Sequence, residues 1–147
     1  KAQALGMAQS KFTDPSGVSN GNVSSAEDLF NFEKYLYNNR SFILKIASGR
    51  VEDNAYGSPS FKNLENFNYF ADDLNFIGGQ AGKLESGEEA MLAVFELEMR
   101  GEKRPVAVVV LDSPKVKDDV LSILSWIAQS YGGGPYKPWS ATSTDNL

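Results

Sequence analysis

Few side chains in this sequence can do chemistry, because its 147 residues include no histidine and no cysteine. A Ser-His-Asp triad, a thiol nucleophile, a zinc-thiolate centre and a disulfide are therefore all excluded. Any hydrolytic reaction would need Lys, Glu or Tyr as its base. A serine activated by a lysine one helical turn away needs Ser-x-x-Lys spacing, and no such tetrad occurs. Three acids, Glu85, Glu88 and Glu89, fall between strand-like segments, where a solvated rim is favoured over a metal site. The stretch that draws most attention is Gln80-Ala81-Gly82, followed by Lys83. It continues a strand-like Asn75-Phe76-Ile77 and a Gly78-Gly79 pair. Its side chains are an amide and a methyl, so what it can offer is chiefly backbone N–H and C=O groups. Lys83 is out of step with Gln80 on an alternating strand and should face the opposite side.

The elements that must hold these residues read as follows. Lys1 to Met7 resembles a helix end with Gly6 at its stop, and 10–23 is turn-rich, with Asp-Pro, Ser-Gly and Asn-Gly steps. A helix is expected from Ser24 to about Asn38, with Ser24 and Glu27 at capping-box spacing. Leu29, Phe32, Glu33 and Leu36 follow the helical period, with Glu33 a polar break in it. A shorter helix is expected over Ser41 to Ser48, stopped by Gly49. Residues 50–74 read as a long ordered loop. Its aromatics Phe61, Phe67, Tyr69 and Phe70, with Phe76, fit core or loop packing better than a ligand groove.

Strands are expected at about 74–79, 88–98 and 104–111, with Arg100-Gly101-Glu102-Lys103 as the hairpin between the last two. Val106 to Leu111 is apolar on both faces, which suits a strand inside a sheet and not one at its margin. Ser113-Pro114 reads as a helix start, with Val116, Val120, Ile123, Leu124, Ile127 and Tyr131 on one face. Trp126 lies off that stripe, and Asp118 and Asp119 serve the helix dipole. The Gly/Pro/Ser stretch 132–147 reads as a tail beyond a single domain over 1–131.

Bulk properties are those of one globular domain: 41% hydrophobic and 22% charged residues. A net charge of −5 argues against nucleic acid as a partner. No apolar run approaches the roughly 20 residues that span a bilayer. The chain opens on Lys1 with no visible signal peptide, which reads as a processed product or an internal fragment.

Several pieces, in order, resemble the serine D-Ala-D-Ala carboxypeptidases, the penicillin-binding DD-peptidases. Lys1-Ala2-Gln3-Ala4-Leu5-Gly6-Met7 resembles that family's Lys-Ala-x-x-Leu-Gly-Met helix end. Phe12-Thr13-Asp14-Pro15-Ser16-Gly17-Val18 resembles its Phe-x-Asn/Asp-Pro-x-Gly-Leu loop. Asn22-Val23-Ser24-Ser25-Ala26-Glu27-Asp28-Leu29 resembles its Asn-x-Ser-Thr-Ala-x-Asp-Leu helix start. Phe76-Ile77-Gly78-Gly79 and Met91-Leu92-Ala93-Val94-Phe95 flank the place where the family carries Lys-Thr-Gly. The resemblance implies an α+β fold, an antiparallel sheet with flanking helices that is part of the DD-peptidase and β-lactamase-like serine acyltransferase fold. It implies a carboxy-terminal segment of the catalytic domain, an extracytoplasmic location (periplasm or cell surface), no cofactor, and a role in peptidoglycan metabolism.

The family's Ser-x-x-Lys and Ser-x-Asn motifs lie amino-terminal to the Leu-Gly-Met helix. Neither Ser16-Gly17-Val18 nor Ser19-Asn20 supplies the second. By resemblance, Gln80, Ala81, Gly82 and Lys83 form a degenerate substrate-binding strand, with the N–H of Lys83 at an oxyanion-donor position and no catalytic residue in the chain. Peptidoglycan peptide is then the implied ligand. The implied strand-edge partner, beside the 104–111 strand, is a second copy or an amino-terminal half. Three alternatives stay open: a degenerate, inactive segment; half of an active peptidase completed by a separate amino-terminal chain; and a non-catalytic interaction module.

Overall fold

A computed structural model describes residues 1–17, 19–51, 65–84, 86–132 and 134–138. After a single 3-10 turn at Gln3–Leu5, closed by Gly6 in the left-handed region (φ 74°), the chain forms a bridge between Lys11 and Val23. Helix α1 runs Ala26–Asn39. Its cap is Ser25, whose hydroxyl accepts from the Asp28 N–H, and not Ser24, as capping-box spacing suggested. Ser24 is occupied elsewhere, hydroxyl to hydroxyl with Ser10 at 2.6 Å. Asp28 in turn accepts from the Gln9 N–H and the Ser10 hydroxyl, which ties the start of α1 to the preceding segment. Helix α2, Ser41–Ala47, follows almost at once and ends before Gly49, which is left-handed (φ 74°).

Three antiparallel strands follow in the spatial order β1-β2-β3: β1 Phe76–Lys83, β2 Glu89–Met99 and β3 Glu102–Ser113. The first begins and ends later than the 74–79 expected. Residues 73–75 are a turn, with Asp73 accepting from the N–H groups of Asn75 and Phe76. The ladder continues through Gln80↔Leu92, Gly82↔Ala90 and Lys83↔Glu89, so Gln80-Ala81-Gly82 lies within β1. The β2–β3 hairpin turns on Arg100-Gly101 alone, both at positive φ (54° and 78°), the two-residue turn whose twist matches the strands. Glu102 and Lys103, expected in that turn, belong to β3. Helix α3, Val116–Ser130, begins two residues after Pro114. Ser113 caps the turn before it, accepting from the Lys115 N–H at 2.9 Å and donating to Asp119.

The sheet is covered on both faces, α1 and α2 on one side and α3 on the other. Phe76, Met91, Ala93, Phe95 and Val108 pack with Val116, Val120 and Leu124 of α3. Val94, Ile77 and Ala107 pack with Leu36 of α1 and Leu44 of α2. Close approach of α2 to β1 depends on Gly78, where a Cβ would lie 2.2 Å from the Leu44 carbonyl oxygen. Tyr136, in the expected tail, sets its ring against Phe95 (centroids 6.1 Å) and donates its hydroxyl to Asp73.

This layering corrects one inference from the sequence. Residues 106–111 are apolar on both faces because helices cover both faces, and not because strands lie on both sides. Among the described residues no strand pairs with the outer edge of β3. The Leu84 N–H donates to the Glu88 carbonyl and the Glu96 N–H to the Asn75 carbonyl, so alternation along the ladder points Glu88, Ala90, Leu92, Val94 and Glu96 at β1. Met91, Ala93 and Phe95 then point at Val110, Val108 and Val106, and Pro105, Ala107 and Val109 point outward. Pro105 therefore sits where its missing N–H would have faced the open edge, the position sheets tolerate for proline.

Candidate functional site

Gln80, Ala81, Gly82 and Lys83 occupy the exposed half of β1; Phe76, Gly78 and Gly79 in the other half are buried. The same alternation points Gly78, Gln80 and Gly82 at β2 through their backbone groups and leaves Gly79, Ala81 and Lys83 pointing away from it. The Gly79 carbonyl on that outer edge accepts from Asn68 Nδ2 at 3.3 Å. Among the described residues nothing pairs with Ala81 or with the N–H of Lys83 on that edge. The side chains of Gln80 and Lys83 take opposite faces, as the strand period requires: Gln80 stands across from Leu92 on the α1/α2 face, Lys83 across from Glu89 on the α3 face.

Lys83 is committed there. Its Nζ lies 3.1 Å from Glu89 Oε1, and the Tyr69 hydroxyl donates to the same oxygen at 2.9 Å. The Lys83 and Tyr69 hydrogen bonds hold the Glu89 carboxyl below its ordinary range. The Val116 N–H at the start of α3 adds a smaller pull in the same direction on the Glu89 carboxyl, at the favourable end of the helix for an anion. Glu89 in return raises both partners, chiefly by the hydrogen bond in each case. Lys83 therefore stays cationic and Tyr69 stays protonated at neutral pH, so neither is poised as a base. The cluster ties the end of β1 to the loop before it and to α3.

A cleft of about 430 Å³ opens on the other side of β1, lined by Ala47 at the end of α2, by 65–68 and by Gly79, Gln80 and Ala81. Its walls are fixed by backbone partners. Asn66 Nδ2 donates to the Ala47 carbonyl at 3.0 Å and Asn66 Oδ1 accepts from the Asn68 N–H. Phe67 leaves 80% of its surface exposed at the mouth. A second hollow, of about 380 Å³, lies by Arg100, Gly101 and Tyr136 at the hairpin end of the sheet, away from any group singled out for chemistry.

The remaining sequence-marked residues are structural where they are described. Phe70 and Phe76 are core, while Tyr69 and Phe67 are exposed and border the site. Asp119 accepts from Ser113, and Trp126 is 68% exposed. The Asp14 carboxyl accepts from the Ser16 hydroxyl, the Ser16, Gly17 and Ser19 N–H groups and Asn22 Nδ2. Those bonds, the Ser16 hydroxyl first, hold it well below the carboxylate range. No group of three or more acidic side chains close enough to hold a metal ion occurs among the described residues. Glu85, Phe61, Val18 and most of the 132–147 stretch lie outside those residues. Among the described residues no helix is long and apolar enough to cross a membrane.

Sequence reasoning missed two features. The Lys83–Glu89 pair was within reach, because the hairpin register alone sets those residues opposite each other; the Tyr69 and Asn68 contacts come from a loop whose path has no periodic signal. Glu33, taken as a mild polar break, is fully buried, and neither carboxylate oxygen has a hydrogen-bond partner among the described residues. Comparisons of the chain with protein families, with curated proteins and with solved structures find no match.

Proposed function

We propose that this chain is the carboxy-terminal segment of a D-Ala-D-Ala carboxypeptidase-like domain, a partial serine acyltransferase fold, that binds peptidoglycan peptide along β1 without turning it over. The observation that carries this reading is the placement of Gln80-Ala81-Gly82 on an edge strand, beside a cleft, with the Lys83 N–H directed away from the sheet. The ordered sequence pieces described above add to it. Inertness follows from the side chains. No Ser-x-x-Lys supplies a nucleophile, and Gln80 and Ala81 provide neither a cation nor a hydroxyl at the strand. Loss of one preorganised donor typically costs about 10²–10³ in rate, and here two are changed. An extracytoplasmic location follows from the same resemblance.

Soluble peptidoglycan fragments titrated into the labelled protein should shift the backbone amides of Ala81 and Lys83 without releasing D-alanine. Amides that stay in place at saturating fragment would overturn the binding role. The open edge of β3 favours a second reading, in which an amino-terminal half on another chain pairs there and brings a catalytic serine. Acylation by a labelled β-lactam of the protein mixed with such a half would establish that reading; the chain by itself should gain no adduct.

A further inference from the structure

Among the described residues, the cleft beside β1 is lined by amides and carries no cation. Asn66, Asn68 and Gln80 bring carboxamides to it, Glu65 brings a negative charge, and Phe67 brings an exposed ring. The nearest ammonium along the strand, Lys83, is turned to the opposite face and held by Glu89. Gln80 is exposed and its amide has no partner among the described residues. Ala81 presents an N–H and a C=O on the same edge, with the same spacing that a neighbouring strand would use.

From these groups we infer that the cleft takes an extended peptide segment whose end is uncharged, an internal stretch or a carboxamide, and discriminates against a free terminal carboxylate. Recognition is by strand addition: Ala81 and the N–H of Lys83 pair with the peptide backbone, which supplies affinity without regard to sequence. Selectivity comes from the walls. A carboxylate entering beside Gln80 would lose water and find no cation in exchange among the described residues, with the Glu65 carboxylate as a like charge at the rim. A carboxamide or a continuing peptide bond meets the same asparagine and glutamine groups with donors and acceptors of its own. This inference rests on the peptide-binding reading above and adds to it the charge state of the ligand.

The test uses the whole chain and two probes that differ at one end, diacetyl-L-Lys-D-Ala-D-Ala as the free acid and as the carboxamide. Binding is followed by the amide shifts of Ala81 and Lys83. The carboxamide should bind more tightly by about threefold to tenfold, the size of a single partly screened charge effect. Gln80→Lys, an exposed substitution outside the core, should reverse the preference by placing a cation in the cleft. Equal affinity for the two probes, or tighter binding of the acid to the unsubstituted protein, would overturn the inference while leaving peptide binding in place. Failure of both probes to shift either amide would overturn the inference together with the reading it rests on.

Discussion

Replacing Glu33 by methionine should stabilise the protein, and by more at pH 8 than at pH 4.5. Glu33 sits on the face of α1 that carries Leu36 toward the sheet, is 0% exposed, and has no hydrogen-bond partner for either oxygen among the described residues. Burial alone pushes its carboxyl from an ordinary 4.5 up to about 7. The folded state therefore holds a proton that the unfolded state has already lost between those two values. The contribution of Glu33 to stability is most favourable below pH 4.5, falls as pH rises from 4.5 to 7, and levels off above that. At about 1.36 kcal/mol per pH unit, the fall amounts to roughly 3 kcal/mol. That is a large share of the roughly 5–15 kcal/mol that holds an ordinary domain folded. Methionine is close in volume and carries no charge, so its profile should be flat over the same window. Urea unfolding of both proteins at half-unit steps from pH 4.5 to 8.5 measures the difference. The decisive quantity is the change in that difference with pH, which packing effects of the new side chain do not alter. Parallel profiles would mean that the carboxylate is hydrated or paired in solution and that desolvation is not what governs it.

Three other outcomes are expected. Gly78→Ala should cost roughly 1–3 kcal/mol or more, because its Cβ would fall 2.2 Å from the Leu44 carbonyl oxygen, whereas Gly82→Ala, with nothing within 4 Å, should stay within about 0.5 kcal/mol; equal costs in denaturant unfolding would remove α2 from its place against β1. Gln80→Lys combined with Ala81→Thr should release no D-alanine from a peptide substrate, because repairing one part of a unit returns little when the nucleophile is absent; turnover would show that another serine serves. The amides of Ala107 and Val109 should be protected from hydrogen exchange by an intermolecular partner, with sedimentation at low micromolar concentration showing more than a monomer; a monomer with both amides unprotected would show that the β3 edge needs no cover.

How much of this was legible in the sequence depended on whether local rules decided the outcome. The α+β class, three helices and a three-stranded antiparallel sheet followed from periodicity and punctuation. The Gly6 and Gly49 stops and the Arg100-Gly101 turn are local left-handed positions that sequence marks well. Boundaries failed where two residues could play one part. Ser24 and Ser25 both suit a cap, and only the Ser10 contact of Ser24 decides between them. Ser113-Pro114 has the composition of a helix start, but β3 runs on to Ser113 and delays the helix to Val116. Glu33 is the opposite case. Its spacing with Leu29 and Leu36 placed it on the buried face, while its charge argued for solvent, and the packing of α1 on β2 and β3 overrode the charge. At the candidate site, the opposed faces of Gln80 and Lys83 followed from the period of two, but β1 runs past the end expected at 79 and takes in all four site residues. The cleft did not, because its far wall is the 65–68 loop, positioned by Asn66 and Asn68 through contacts distant in sequence.

The two edges of the sheet differ in how they are protected. On β3, Pro105 removes one outward N–H, and Glu102, Lys103 and Arg104 crowd the hairpin end with charge, with ion pairs from Lys103 to Glu96 and from Arg104 to Glu102. At the other end the ladder slips by a residue between Val110 and Ser113, where Asp112 takes positive φ (56°). Proline, charge and bulge are the means by which sheets limit pairing at an edge, and here they leave a window of Ala107 and Val109 with apolar neighbours. That suits one partner strand in one register, and it resists open-ended stacking. On β1 no such device stands between Ala81 and Lys83. The glycines at 78, 79 and 82 keep bulk off the strand, and the open groups face a cleft of amides. The whole width of β2 separates the two edges, so the proposed partner on β3 and the proposed peptide on β1 would not compete. Loss of one in solution should leave the other intact.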